Sequence, residues 1–377
     1  MKKNYIIPLL LISLLTSCTT YKVPSTCDFE LTPIENKISL YTDLQKEFFD
    51  SENPDEFIQN HLGQLQTNVS SPRGINFKWN DINDTNVNAD KYVVYISEDE
   101  NFSSAWKKET TNKEIEIKNF KLDETYYWKV EGHYHDEVFT SDVSSFTTDK
   151  GFARNLYVEG VKNIRDIGGY QIGENKYIKQ GLIYRSAEFN GATFNSIPSE
   201  YGKYVLTNEL NIKTEIDLRK TLSSFNSDEV DGITSSPLGR NVKYVSAPME
   251  FANKNIYTNE NNKESVKLVF ETLADIKNYP LVFHCVRGTD RTGAIAYVVG
   301  AICGMNKTDL MKDYLFSDFS DINAKVREIN INKTGFYVQG IEEEEGSTLK
   351  EKAINYLKNN VGISDKTINS IIDILID

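Results

Sequence analysis

Cys285 and Arg291 bracket a short loop in the run His284-Cys285-Val286-Arg287-Gly288-Thr289-Asp290-Arg291-Thr292-Gly293. An ionised thiol is a strong nucleophile, and a guanidinium is a planar fork that matches two oxygens of a phosphate. They can act on one atom only if the chain between them curls into a cradle. The flanking sequence supplies that condition. Residues 281–283 form a short apolar run that reads as a buried strand, and the Ala-rich run 294–302 reads as a buried helix, so the loop opens a helix. The first turn of a helix has unpaired N–H groups and about half a positive charge, which makes it an anion site. A cysteine held there beside an arginine gives up its proton more readily than a free thiol. Thiolate, amides and fork are expected to converge on one phosphorus.

The stretch HCVRGTDRTG resembles the His-Cys-x5-Arg-Ser/Thr-Gly signature of the tyrosine and dual-specificity phosphatase superfamily. Upstream, Asn163-Ile164-Arg165-Asp166-Ile167-Gly168-Gly169 and Tyr184-Arg185-Ser186-Ala187 are similar to the N-terminal hallmark of one bacterial branch. Asp217-Leu218-Arg219 is similar to that branch's Asp-Leu-Arg motif, and Lys312 to Ser317 resembles its helix after the loop. The likeness covers about residues 155–377. It implies that Cys285 attacks phosphorus, that a phosphocysteine forms, and that water hydrolyses it. Arg291 and the backbone of Val286, Arg287, Gly288 and Thr289 would hold the phosphoryl oxygens, Thr292 would donate its hydroxyl to the sulfur, and His284 would orient the loop. Arg165, Asp166, Arg185 and Arg219 are candidates for binding substrate, with scaffold ion pairs as the alternative. The proton donor is Asp217 or Asp290, with Asp217 favoured for its place at a strand end and Asp166 third. Neither metal nor cofactor is implied, since the arginine and amides supply the electrophilic environment. The branch carries lysine where Thr289 stands and a small residue where Arg287 stands. That lysine helps hold polyanionic head groups, so the expected substrate is a phosphotyrosine-type phosphomonoester, on a protein or a small molecule. The alternatives are a phosphoinositide or inositol polyphosphate, or a catalytically idle binding lipoprotein.

The elements that must position this loop occupy part of a long chain. At 377 residues it exceeds the roughly 100–200 residues of one domain. A net charge of −13 argues against binding nucleic acid or a polybasic membrane surface, both of which need clustered cations. Four cysteines in this length do not form a disulfide framework. Met1-Lys2-Lys3 and the apolar run 6–15 have the form of a signal peptide. Leu15-Thr16-Ser17-Cys18 resembles a bacterial lipobox, which implies residues 1–18 as leader, lipidation at Cys18, and an exported protein anchored to a bacterial membrane, periplasmic or at the cell surface.

Residues 19–69 are expected to be a tether or small helical segment, with helix candidates at 39–49 and 54–65. Residues 70–149 carry short alternating runs at 74–79, 91–97, 114–117, 126–130 and 144–147, the pattern of a β-sandwich. Residues 122–130 resemble strand F of fibronectin type III domains, and Trp79 stands where that family has an early core tryptophan. Trp79, Tyr126 and Trp128 are expected in its core, and the sequence specifies no partner for it. His133 and His135 would share one strand face near Asp136, too few ligands for zinc. From 150 to 377 strands alternate with helices, which predicts an α/β domain with a parallel-rich sheet flanked by helices. The strand at 214–219 places Asp217 and Arg219 at the carboxyl edge, where ligands bind. A further strand is expected at 244–248, and an amphipathic helix at 263–277 with Val266, Val269, Phe270, Leu273 and Ile276 on one face. Gly304 ends the helix after the loop, Thr308 caps the next at 309–316, and helices at 349–357 and 367–375 close the chain. Cys303 is expected in the core, and Glu342 to Glu345 on a solvated surface.

Overall fold

The computed structural model describes residues 22–191, 195–219, 233–250, 256–257, 259–320 and 340–376. The expected leader and the lipidation at Cys18 lie outside them.

The first half is built on period-two burial. In Ile75–Asn83 the side chains of Ile75, Phe77 and Trp79 point inward, and in Thr125–Tyr134 those of Tyr126, Trp128, Val130 and Tyr134 do. A three-stranded antiparallel sheet runs Cys27–Leu31, Ile75–Asn83, Glu114–Ile117. A second sheet runs Lys37–Ile38, Ser144–Thr148, Thr125–Tyr134, Lys91–Ser97, Trp106–Thr110, with Glu137–Thr140 also paired to Thr125–Tyr134. Their inner faces meet through Phe77 against Trp128 at 5.0 Å and Trp79 against Tyr92 at 5.3 Å. Trp106–Thr110 and Glu137–Thr140, unexpected from the sequence, are partly exposed and do not bury an alternating apolar face.

Residues 22–69 hold the expected helices and the strand Cys27–Leu31 besides. That strand belongs to the first sheet, so the β unit begins well before residue 70. Two helices are inserted before the next strand of that sheet. Thr42 and Gln45 form a capping box that starts Asp43–Asp50, and Asn53 caps Pro54–Asn60. Phe48, Phe49 and Ile58 on these helices are completely buried. Phe49 stacks on Phe152 and Phe316, each at 5.3 Å, and Phe48 lies 5.0 Å from Phe319. Lys312 Nζ donates to the Phe49 carbonyl at 2.5 Å. One apolar core therefore runs from the N-terminal helices into the second half. The histidines do not share a face: His135 sits in the turn after the strand at φ +56°, near Asp90, while His133 lies beside Glu131.

The second half holds a five-stranded sheet in the order Arg165–Asp166, Ile183–Ser186, Leu281–His284, Thr214–Asp217, Lys243–Ser246. The first pair is antiparallel and the rest are parallel. Helix Asp290–Cys303 is buried at every position but Asp290, as the apolar run from Ala294 onward requires, and Gly304 ends it at φ +101°. Cys303 lies inside, where burial pushes its thiol up to about 12. Lys263–Leu273 buries Val266, Val269, Phe270 and Leu273 but stops there. Asp275 caps a separate turn, Ile276–Asn278, which leaves Ile276 58% exposed, so it is not on the buried face. Asn306, not Thr308, caps Lys307–Leu315, its side chain accepting from the Asp309 N–H. Leu349–Asn355 and Asp365–Leu375 follow, capped by Thr348 and Ser364. Among the described residues, no helix is long and apolar enough to cross a membrane.

Candidate active site

The parallel register sets Ser186, His284 and Asp217 side by side at the carboxyl edge of the sheet. Cys285 is the next residue on the central strand, and it is buried. From here the chain turns through Val286 to Thr289 into the helix. The scaffold grips the carbonyls of this turn one after another. His284 Nδ1 meets Cys285 O at 3.2 Å, and the Glu188 N–H donates to Val286 O at 3.1 Å. Asn163 Nδ2 donates to Arg287 O at 2.9 Å. Arg185 Nη2 donates to Gly288 O at 2.8 Å and, at 3.4 Å, to Thr289 O. In a trans peptide the next residue's N–H points opposite to the carbonyl. Carbonyls held outward therefore turn the amides of residues 286 to 290 inward, which is the anion cradle the sequence implied. The N–H groups of Val286 and Gly288 make no hydrogen bond among the described residues. Gly288 is the hinge of the turn. Its φ is +69°, and a Cβ there would fall 2.2 Å from Ser186 O.

Arg165, Asp166, Arg185 and Arg219, candidates for substrate or for scaffold ion pairs, all make scaffold contacts. Arg165 and Arg185 are fully buried. Arg165 Nε donates to Asp313 Oδ1 at 2.9 Å, and Arg185 Nη1 pairs with the other oxygen of the same carboxylate. Burial alone would raise the Asp313 carboxyl, but Arg185 and Arg165 reverse this and hold it below the ordinary carboxylate range. Burial and the neighbouring Arg165 lower Arg185 to about 10, so it is still a cation at neutral pH. Asp166 accepts the N–H groups of Gly168 at 2.8 Å and Gly181 at 2.6 Å and pairs with Arg154 at 3.1 Å, so it ties a turn and does not face a ligand. Arg219, 1% exposed, is taken up by Asp217, Glu188 and Asn190.

Asp217, the favoured proton donor from the sequence, is also 1% exposed. It accepts from Arg219 Nη2 at 2.7 Å and from the Tyr244 hydroxyl at 3.0 Å. Burial pushes its carboxyl up, yet His284 and Arg219 outweigh this and keep it below the ordinary range. A carboxylate so held is a poor source of a proton. Glu215, Asp217 and His284 form a buried cluster whose ligand-type atoms lie within 4.8 Å of one another. Protein groups close it: His284 Nε2 meets Glu215 Oε1 at 2.9 Å, the Ser236 hydroxyl donates to Glu215, and Arg219 covers Asp217. The network fixes His284, and through it the Cys285 carbonyl.

Asp290 is less buried than Asp217. It is the first residue of the helix and half-buried, and the Tyr314 hydroxyl donates to its Oδ1 at 3.2 Å. Arg291 is buried, and its Nη1 lies 3.4 Å from the carbonyls of Leu218 and Met249. The Thr292 hydroxyl is buried with no hydrogen-bond partner among the described residues, so it is open to the sulfur or its phosphoryl adduct. Asn163, Glu188, Glu215, Asp313 and Tyr314 were not singled out as site residues from the sequence. Asn163 and Asp313 lie inside motifs quoted above, but their contacts with the loop and the arginines span more than a hundred residues.

A model of the tyrosine phosphatase family matches residues 156–377. Among solved structures, the chain is similar to the core catalytic domain of the PP-IP phosphatase SIW14 from S. cerevisiae in complex with citrate. That likeness has 16% identity and a TM-score of 0.27, and it covers 52% of this chain and 88% of the other. A second structure of the SIW14 catalytic core has 19% identity and a TM-score of 0.30, with 55% and 97% covered. TpbA from P. aeruginosa has 20% identity and a TM-score of 0.25, with 44% and 90% covered. A search of curated proteins finds no match. The family match takes in more than half of the chain, with strand, loop and helix together, so the chain belongs to the tyrosine phosphatase family and is a cysteine-dependent phosphatase.

Proposed function

We propose that the protein hydrolyses phosphotyrosine-type phosphomonoesters through a phosphocysteine at Cys285, with Asp290 as the proton donor. The observation that carries this is the row of outward-held carbonyls from Cys285 to Thr289, which aims the loop amides at the space above the sulfur. In the first step the Cys285 thiolate forms a bond to phosphorus as the ester P–O bond breaks. The leaving oxygen keeps that electron pair and takes the proton of Asp290. The loop amides and Arg291 hold the three equatorial oxygens throughout. In the second step water attacks phosphorus, its proton passes to the Asp290 carboxylate, and the S–P bond breaks to return the thiolate. The Thr292 hydroxyl stabilises the departing sulfur.

Thr289 supports an aryl phosphate over a polyphosphorylated head group, because the lysine expected beside Asp290 is missing. The test is phosphate release from a generic aryl phosphate, from phosphotyrosine peptides, and from phosphoinositides and inositol polyphosphates, each with a chelator present and beside Cys285→Ser. Chelator-resistant turnover that vanishes in the variant, and that is fastest on aryl esters, is expected. Activity retained by Cys285→Ser would remove the nucleophile from the scheme, and equal turnover of inositol lipids would reverse the substrate ranking.

The first half has sheet orders compatible with a fibronectin type III-like sandwich, and Trp79 and Trp128 in its core support that reading. The lipid anchor at Cys18 rests on the Leu15 to Cys18 spacing. Labelled fatty acid incorporated into the wild type but not into Cys18→Ser tests it.

A further inference from the structure

Successive residues of an α-helix point about 100° apart. Helix Lys307–Leu315 uses this to reach three places. Lys312 meets the Phe49 carbonyl, Asp313 pairs with Arg165 and Arg185, and Tyr314 reaches the carboxylate of Asp290. The tyrosine ring is seated on Gly293, one turn beyond Asp290: a Cβ on that glycine would lie 2.9 Å from ring carbon Cδ2. The absence of a side chain at Gly293 lets the ring lie close to the helix backbone, and its hydroxyl then meets Asp290 Oδ1 at 3.2 Å.

We propose that Tyr314 is the positioning residue of the proton donor, orienting the Asp290 carboxyl so that it delivers its proton to the leaving oxygen. This rests on the assignment of Asp290 as the acid. In the step, the proton of the Asp290 carboxyl moves to the oxygen of the ester as its bond to phosphorus breaks, and Asp290 is left a carboxylate that accepts the Tyr314 hydrogen bond. Correct proton placement matters most when the leaving group is a poor one. A nitrophenolate departs as a stable anion and needs little help, whereas a phenolate or alkoxide needs the proton.

The experiment compares kcat/KM of the full chain on p-nitrophenyl phosphate and phenyl phosphate for Tyr314→Phe, Asp290→Asn and the double variant. General-acid catalysis contributes about 10²–10⁴-fold, so Asp290→Asn is expected to lose at least about 100-fold on phenyl phosphate and far less on the nitrophenyl ester. Tyr314→Phe keeps the ring on Gly293. It is expected to lose about tenfold on phenyl phosphate and about twofold on the nitrophenyl ester, a share of the acid's full effect. The double variant is expected to be no slower than Asp290→Asn, as for two groups acting through one step. Inhibition by inorganic phosphate is expected to match the wild type in Tyr314→Phe. Equal losses of Tyr314→Phe on both esters, no loss, or weakened phosphate inhibition would overturn the proposal while a selective Asp290→Asn leaves the acid in place. If Asp290→Asn is itself unselective, the acid assignment fails and the role of Tyr314 falls with it.

Discussion

Asp313 is the residue through which the scaffold can be tested most sharply. It touches no part of the cradle, yet it joins the two arginines behind it, and Arg185 in turn holds the carbonyls of Gly288 and Thr289. Asp313→Asn preserves shape and removes the charge. Breaking a buried ion pair costs about 3–5 kcal/mol, because the remaining charge is left buried. The lower end applies here. Asparagine keeps one acceptor oxygen, Arg165 retains Asn163 Oδ1 at 2.6 Å and the Asp313 backbone carbonyl at 2.5 Å, and Arg185 retains the loop carbonyls. About 3 kcal/mol, at about 2–4 °C per kcal/mol for a unit of this size, gives a fall in Tm of about 6–12 °C. Below that temperature the protein stays folded, and a guanidinium that is no longer pinned lets the loop carbonyls turn. A displacement of about 1 Å in a reacting group costs about 100-fold, so kcat/KM on an aryl phosphate should fall by about that factor, with weaker inhibition by inorganic phosphate. Thermal unfolding by circular dichroism and steady-state kinetics well below the midpoint separate the two effects. An Asp313→Asn protein with wild-type Tm and wild-type phosphate inhibition would refute the account of how the cradle is held.

Gly288→Ala puts a methyl 2.2 Å from Ser186 O at a φ of +69°, so a loss of about 100-fold or more in kcat/KM is expected, with thermal unfolding as the check on folding. Asp217→Asn is expected to slow p-nitrophenyl and phenyl phosphate by the same factor, because Asp217 braces Arg219 and gives no proton; a loss confined to phenyl phosphate would restore it as the acid. Asp217 and Asp313 are both held below the ordinary carboxylate range in the fold. The unfolded chain therefore takes up protons first as the pH falls. The stability these groups supply is complete above their unfolded values near about pH 4 and is lost as the pH drops through their depressed ones. Tm measured against pH below about 4 should fall less steeply in Asp313→Asn than in the wild type. Lys312→Met removes the donor to the Phe49 carbonyl while keeping the apolar stem. It is expected to cost about 1–3 kcal/mol by leaving that buried acceptor unpaired, read from urea unfolding.

The chemistry was legible where it is local. An apolar strand, six residues from cysteine to arginine and an Ala-rich helix occupy one short stretch, and their geometry follows from that order alone. Glu114–Ile117, whose residues alternate, and Lys91–Ser97, a short run rich in β-branched and aromatic residues, were legible for the same reason. What the sequence concealed depends on distance. Arg165, Arg185 and Arg219 are the residue type that binds phosphate, and only the contacts of Arg165 and Arg185 with Asp313, and of Arg219 with Glu188 and Asn190, reveal that they brace the site. Asp217 stands at the strand end as expected, but the residue two positions on folds back and occupies it. Cys27–Leu31 was hidden because its sheet partner lies beyond two inserted helices. Thr308 was a reasonable cap by type; Asn306, one residue before the helix, holds the position by its contact with the Asp309 N–H.

The aromatic seam that joins Phe48 and Phe49 to Phe152, Phe316 and Phe319 also bears on how such a protein can change over generations. A module that shares no core with its neighbour can be shuffled among proteins by recombination. Here the helix carrying Phe48 and Phe49 sits between two strands of the N-terminal β unit, and its buried face completes the catalytic half. A recombinant beginning at residue 150 would leave Phe152, Phe316 and Phe319 without these partners, and each buried phenylalanine is worth about 1.5–3 kcal/mol. The two halves are therefore bound to descend together, and a change on one side of the seam is selected against the residues on the other.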